Sequence, residues 1–236
     1  MPITRRTLLT ITAAALSLQA NGPTREMIQE MVGASHAKPQ RVRELLAHHP
    51  SLALATLDWG FGDWESALGA ASHVGNREIA EMLLAHGARP TIFSAAMLGQ
   101  LDVVKAFLAA QPGIEKTRGP HGITLFVHAK GPVKEYLKAF PDAHLPLPNE
   151  PISPERQAQI AGVYRSADGQ TTFTIDSVRG QLGVNGPSVS ARRNLLLRPD
   201  GTFFPSGAPW ACFSFEGATL KFQNVSFSAT LTRQQM

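Results

Sequence analysis

The sequence predicts a two-part protein: a stack of about four helix pairs, followed by a small antiparallel β-barrel or sandwich. Small and apolar residues recur in one pattern, with Gly75 and Gly99 at equivalent places 24 residues apart. The segment 145–154 is rich in proline and cannot continue a helix. After it, apolar and polar residues alternate with a period of two, which is typical of half-buried strands.

The first twenty residues have the layout of an export signal. Arg5-Arg6 precedes an apolar stretch over 11–18 that is too short to span a membrane, and the small residue Ala20 follows. The paired arginines, with Leu8-Leu9 behind them, resemble the twin-arginine signal. We therefore expect residues 1–20 to be a signal peptide that directs a bacterial protein to the periplasm or the medium. An uncleaved cytoplasmic N-terminus is the alternative.

Residues 66–88 read SALGAASHVGNREIAEMLLAHGA. This segment resembles the ankyrin repeat, which opens T-P-L-H-x-A-A and closes L-L-x-x-G-A. Ala70 and Ala71 keep the first helix thin enough for a neighbouring repeat to stack, and Gly75 permits the tight turn. A second copy lacks the family's connecting hairpin and carries the equivalent positions Ile92, Ala95, Ala96, Gly99, Asp102, Val103, Val104, Phe107 and Leu108.

Weaker copies flank these two repeats, as expected of capping units that face water on one side. The first has a predicted helix over 24–34 and a second helix around Leu45-Leu46, and the last lies around Thr124-Leu125 and Tyr136-Leu137. The resemblance therefore predicts an ankyrin repeat domain over 21–143. A Pro-rich linker over 144–154 follows it.

Ankyrin arrays generally bind other proteins, and the resemblance implies the same here. The long Gly-rich loop after the first unit contains three aromatic residues, Trp59, Phe61 and Trp64. Aromatic residues dominate binding energy when an interface buries them. Alternatively, these rings pack under the loop or cover the open end of the array. The candidate protein-binding residues are Trp59, Phe61, Trp64, His73, Met97 and Leu98.

The C-terminal segment 155–236 contains six to eight short predicted strands. Pro199-Asp200-Gly201 and Glu216-Gly217 read as hairpin turns, and apolar residues alternate from Val225 to Leu231. With its opening Ala161-Gly162-Val163-Tyr164, the segment resembles the lipocalin-like β domain appended to some β-lactamase-related serine hydrolases. That resemblance implies an accessory module without an active site of its own. Its interior is either filled by Phe and Leu or keeps a slot for one small apolar ligand.

The net charge of +4 does not point to nucleic acid. Residues 21–150 hold 12 Lys and Arg against 13 Asp and Glu, so no basic stripe is available to neutralise phosphates. The single Cys212 excludes an intramolecular disulfide framework and a Cys-rich zinc site. The eight histidines do not form H-E-x-x-H, and Gly-x-Ser-x-Gly is absent. We therefore expect no catalytic residue, no cofactor and no metal ligand.

These observations predict a non-catalytic, exported protein that binds an unidentified protein partner through its helical surface. Two alternatives remain open. The β module is a carrier or sensor for a small apolar ligand, or the protein is an accessory subunit that regulates a periplasmic hydrolase. A barrel interior filled by phenylalanine would argue against the carrier, whereas an apolar pocket with a few polar groups would favour it.

Overall fold

The computed structural model describes residues 22–187, 189 and 192–235, so the predicted signal peptide over 1–20 lies outside the described residues. Over these ranges the protein is mixed helix and sheet, with short helices followed by a closed eight-stranded antiparallel β-barrel. No helix in this part of the chain is both long and apolar enough to cross a bilayer.

The helices before the barrel follow one another in pairs. Gly75 and Gly99 end the first members of the two central pairs with φ of 77° and 76°, so the predicted glycine turns are confirmed. The predicted helix over 24–34 is also confirmed, because Thr24 accepts the N–H of Met27 and caps it. The helices are α1 (Arg25–Ala34), α2 (Pro39–His48), α3 (Ala67–Val74), α4 (Arg77–Ala85), α5 (Ile92–Leu98), α6 (Leu101–Ala110), α7 (Leu125–His128), α8 (Gly131–Leu137) and, leading into the barrel, α9 (Pro154–Ile160).

The long loop after α2 forms a β-hairpin. Strands β1 (Thr56–Asp58) and β2 (Trp64–Ser66) pair antiparallel. Between them, Gly60, Phe61 and Gly62 have φ of 112°, 61° and 81°. Only glycine adopts such angles readily, so the two glycines allow a tight turn, whereas Phe61 is held there under strain. The turn therefore aims the Phe61 side chain away from the helices.

The barrel strands form an up-and-down meander that closes when the last strand pairs with the first. Leu231 lies opposite Ser166 at this closure. The turns predicted at 199–201 and 216–217 are confirmed, with Gly201 and Gly217 at φ of 83° and 58°. The strands are β3 (Gly162–Ser166), β4 (Thr172–Val178), β5 (Gln181–Asn185), β6 (Arg193–Leu197), β7 (Phe203–Pro205), β8 (Cys212–Glu216), β9 (Thr219–Gln223) and β10 (Ser228–Arg233).

The predicted strand from Val225 to Leu231 begins later than the alternation indicates. The side chain of Asn224 accepts the N–H groups of Ser226 and Phe227, at 2.8 and 2.9 Å. This local turn competes with strand pairing, so β10 starts only at Ser228. Val225 and Phe227 consequently stay exposed instead of entering the core.

Aromatic side chains fill the barrel interior. Tyr164 and four phenylalanines are fully buried there or nearly so. The rings of Phe173, Phe213 and Phe222 contact one another edge-on or tilted, and Tyr164 and Phe203 each contact Phe215 edge-on. Of the two alternatives that the sequence allowed, a filled interior and a slot for a small ligand, the barrel interior has the first. The four phenylalanines are Phe173, Phe203, Phe213 and Phe222.

The segment predicted as a linker, 144–154, is attached at both of its ends. Arg118, in the helical part, donates to the carbonyl of Leu145 at 2.5 Å. The N–H of Glu150 donates to the carbonyl of Leu197 in β6 at 2.9 Å. Pro154 is the first residue of α9, where its fixed φ suits a helix start.

Candidate metal centre

Four side chains with metal-binding atoms converge between the helices and the β1–β2 hairpin. His36 follows α1, Glu65 lies in β2, His73 in α3, and His121 in the 3-10 turn Pro120–Gly122. One nitrogen or oxygen from each of them can be chosen so that all four lie within 4.8 Å of one another. The chain thus brings residues from four separate elements to a single point.

The distances from the Glu65 carboxylate to the three imidazoles are close to those between the ligands of one small ion. Glu65 Oε1 lies 3.0 Å from His73 Nε2 and 3.4 Å from His121 Nε2. His36 Nε2 lies 3.5 Å from the other carboxylate oxygen, Glu65 Oε2. Ligands bound to a tetrahedral zinc ion at about 2.0–2.1 Å are about 3.3 Å apart. Small side-chain adjustments would therefore seat the four groups on one ion.

Two of the imidazoles are held with Nε2 toward Glu65. His36 Nδ1 lies 3.1 Å from the carbonyl oxygen of Val32, and His121 Nδ1 lies 2.7 Å from Asp63 Oδ2. Both partners are acceptors, so each Nδ1 carries a proton and, in the neutral ring, Nε2 keeps its lone pair. Metal-binding histidines are oriented in this way by carbonyl and carboxylate groups.

Glu65 is fully buried, and its two oxygens differ. Oε2 accepts a 2.7 Å hydrogen bond from the indole N–H of Trp59. Oε1 and His73 Nε2 are buried, yet neither makes a hydrogen bond with the described part of the chain. Buried polar atoms without a partner are rare in folded proteins. Their 3.0 Å separation without hydrogen-bond geometry is what two ligands of one cation would show.

At neutral pH the cluster holds an ionised carboxylate and a protonated imidazole. Burial by itself would raise the pKa of Glu65, but interactions with His121 and His73 outweigh burial and lower that pKa to about 2. Burial would likewise lower the pKa of His121, but Asp63 and Glu65 raise it to about 9. Glu65 is therefore ionised and His121 protonated at neutral pH. A metal ion that binds Nε2 of His121 must displace the proton on that nitrogen.

Asp63 connects this cluster to the barrel. It is fully buried and accepts the backbone N–H of His121 at 2.8 Å as well as that residue's ring N–H. Arg193 of β6 donates to the same carboxylate. Gly207 fits against it because a Cβ there would stand 2.8 Å from Asp63 Oδ2 and 3.0 Å from the His121 backbone. The orientation of the His121 ring thus depends on a carboxylate that the barrel residue Arg193 also contacts.

The six residues that the sequence predicted as a protein-binding surface differ in their exposure in the fold. Trp64 is 61% exposed, and Leu98 and Trp59 are half-buried. The prediction is wrong for Phe61 and Met97, which are buried because the hairpin turn aims the first into the barrel and α5 packs the second against the helical core. His73 faces Glu65 in the metal cluster instead of an open groove.

Sequence reasoning did not find His36, Glu65 and His121 as ligands. They lie 29 and 56 positions apart along the chain and match none of the usual metal-binding spacings. Neither His121, in a loop, nor Glu65, beside Trp64 in the aromatic loop, has a local sequence signal for metal binding. Only the packing of α1 and α3 against the hairpin brings these groups together.

His128 is a further buried histidine near the cluster, and it provides a test by pH. Its Nδ1 lies 2.8 Å from the carbonyl oxygen of Thr124, and burial lowers its pKa to about 4. The unfolded chain binds this proton below about pH 6.5, whereas the folded chain does so only near pH 4. The free energy of unfolding should therefore fall by about 3 kcal/mol between neutral pH and pH 4 on account of His128.

We expect His128→Asn to remove this dependence while keeping a donor toward Thr124. Urea unfolding of both proteins, followed at several pH values with a chelator present, measures the difference. The stability gap between the wild type and the variant should shift by about 3 kcal/mol in favour of the variant as the pH falls. A gap that stays constant would show that His128 is not held neutral.

Comparison with protein families, with curated proteins and with solved structures found no match for this chain. The assignment of the site therefore depends on the chemistry of its own side chains.

Proposed function

We propose that this protein binds a divalent transition-metal ion, zinc by preference, through His36, Glu65, His73 and His121. The observation that carries the proposal is the pair of buried atoms Glu65 Oε1 and His73 Nε2, 3.0 Å apart and without hydrogen bonds. Two further imidazoles complete the set of donors around them.

The donor set favours zinc over the alkaline-earth ions. Calcium and magnesium prefer oxygen ligands, whereas imidazole suits zinc, copper, nickel and iron. Four protein ligands with one carboxylate fit the tetrahedral arrangement of closed zinc sites. Closed sites stabilise structure instead of activating water.

The residues of the site have distinct roles in holding such an ion. Glu65 supplies the negative charge, and the N–H of Trp59 fixes its other oxygen. Val32 and Asp63 fix the rings of His36 and His121. Because His36 and His121 are partly exposed, the ion can reach the site from solvent. A bound ion would clamp α1, α3 and the hairpin together.

The wider role remains a proposal from the sequence. We propose that the helices form an ankyrin-type stack exported with a lipocalin-like module. The paired helices and the equal glycine turns after α3 and α5 support the first part, and the closed meander supports the second. Binding of a protein partner is the second candidate function, and the 61% exposure of Trp64 favours it.

Zinc titration of the chelator-treated full chain tests the metal proposal. We expect one zinc ion per chain, and zinc at about 100 times its Kd should raise the free energy of unfolding by about 2.7 kcal/mol. Cobalt bound in place of zinc should give the intense visible absorption of a tetrahedral complex.

The matched pair His36→Gln and His86→Gln separates the site from general histidine binding. Each ring bonds through Nδ1 to the carbonyl four residues earlier, but His86 lies outside the cluster. His36→Gln should weaken zinc binding by at least about 10-fold, and His86→Gln should leave it unchanged. Equal losses in both variants, or no stabilisation of the wild type by zinc, would overturn the proposal.

A further inference from the structure

A cleft separate from the metal cluster opens at one end of the barrel. It has a volume of about 480 Å³ and lies between the β1–β2 hairpin and the turn at 224–227. Phe61, Phe173 and Phe222 belong to its lining and connect it to the aromatic core. Clefts of roughly 300–1,000 Å³ with mostly apolar walls are typical of small-molecule sites.

Two indole rings in the lining have free surface. Trp64 is 61% exposed and Trp210 is 39% exposed. Over the described ranges, no other ring stacks on either indole, and no Lys or Arg lies over them. The N–H of Trp210 donates to the carbonyl of Phe61 at 2.6 Å, which fixes the orientation of that ring. Both rings therefore leave part of their surface open to a ligand.

One carboxylate supplies the charge of the cleft. Asp58 is the charged residue among the described lining, and Lys, Arg and His are absent from that lining. Its Oδ1 accepts the N–H of Gly60 at 2.8 Å. Within the described chain, Asp58 makes no ion pair, and Oδ2 accepts no hydrogen bond. The cleft thus combines aromatic faces with one negative charge that lacks a cationic partner.

We propose that this cleft binds a small organic cation, an ammonium group with alkyl substituents. Cations are attracted to the face of an aromatic ring, most strongly to tryptophan, and quaternary ammonium groups are recognised by such rings. The Asp58 carboxylate adds direct charge attraction. The alkyl groups find apolar surface on the phenylalanines, whereas an anion would meet the carboxylate. The proposal does not depend on the metal centre.

Choline and its uncharged analogue 3,3-dimethylbutan-1-ol test this proposal, because they share a shape and differ in charge. Both are titrated into the full chain and followed by calorimetry and tryptophan fluorescence. We expect choline to bind about 10-fold more tightly than the alcohol, the factor that corresponds to a cation–π and charge contribution of about 1.4 kcal/mol. Equal binding of both, or binding of neither at high millimolar concentration, would overturn the proposal.

Variants locate the binding in the cleft. Trp64→Ala should weaken choline binding several-fold, and Trp64→Phe should restore part of it because phenylalanine keeps a weaker π-face. Asp58→Asn keeps the acceptor for Gly60 but removes the charge, so it should weaken choline and not the alcohol. Asp102→Asn, an exposed charge on α6, is the control. Unchanged choline binding in both Trp64→Ala and Asp58→Asn would contradict the assignment.

Discussion

Glu65→Gln is expected to reduce zinc affinity by more than about 100-fold. Loss of a residue that only hydrogen-bonds to a metal ligand costs about 10–100-fold, and loss of a ligand itself should cost more. The carboxylate is the one anionic donor of the four, and a carboxamide is a weak metal ligand. Glutamine has the same shape and can still accept the N–H of Trp59, so the variant should fold. Calorimetry with zinc measures the loss. Visible absorption with cobalt should show loss of the tetrahedral complex.

Glu135→Gln is the matched control, since that carboxylate is exposed on α8 and pairs only with Lys138 among the described residues. It should bind zinc as the wild type does. Zinc should also cease to raise the unfolding midpoint of Glu65→Gln, whereas the control keeps that effect. If Glu65→Gln retained wild-type affinity, the three histidines would bind zinc without the carboxylate, and the proposed donor set would be wrong.

The sequence predicted the helices and turns well because their signals are local. Gly75 and Gly99 stop their helices through a left-handed φ that the surrounding pattern already indicates. Likewise, Gly201 and Gly217 mark hairpins by their neighbours alone. Alternation predicted the strand at 225–231 only in part, because one side chain, Asn224, forms a turn that overrides it.

The candidate metal centre could not be predicted because nothing in the chain places its four side chains at a fixed spacing. His36 and His121 are 85 positions apart and meet only where α1, α3 and the turn at 120–122 come together beside the hairpin. Packing between distant parts of one chain leaves no periodic signal in the sequence. His73 is the residue of the cluster that the sequence singles out, and it does so as a candidate protein-binding residue.

The hairpin turn concentrates three roles in five residues. Phe61 enters the barrel, Asp63 joins Arg193 to His121, and Glu65 is the carboxylate of the metal cluster. Alternate residues of an extended segment point to opposite sides, but the left-handed angles at 60–62 break that alternation and turn the aromatic ring toward the strands. Docking of the barrel and geometry of the metal centre therefore depend on the same short segment.

Phe61→Ala is expected to lower the free energy of unfolding by about 3–5 kcal/mol, the usual cost of deleting a buried phenylalanine side chain. The ring is only 8% exposed and lies 5.7 Å from Phe213, 6.0 Å from Phe222 and 6.1 Å from Phe173, measured between ring centres. Alanine keeps the left-handed backbone strain at φ of 61° but loses the packing that offsets it. Urea unfolding followed by far-ultraviolet circular dichroism measures the change.

Two comparisons decide whether the loss of unfolding free energy comes from packing of the Phe61 ring inside the end of the barrel. Phe61→Leu keeps most of the apolar volume, so it should cost much less than Phe61→Ala. Phe107→Ala removes an identical side chain from α6, where it is 39% exposed, and should cost well under half as much. Because Trp210 donates to the Phe61 carbonyl, its fluorescence should shift to longer wavelength in Phe61→Ala as the hairpin leaves the barrel. A phenylalanine that closes the end of the barrel loses more packing on truncation than a phenylalanine that faces solvent. Similar losses of unfolding free energy in Phe61→Ala and Phe107→Ala, with Trp210 emission unchanged, would therefore contradict the insertion of the Phe61 ring.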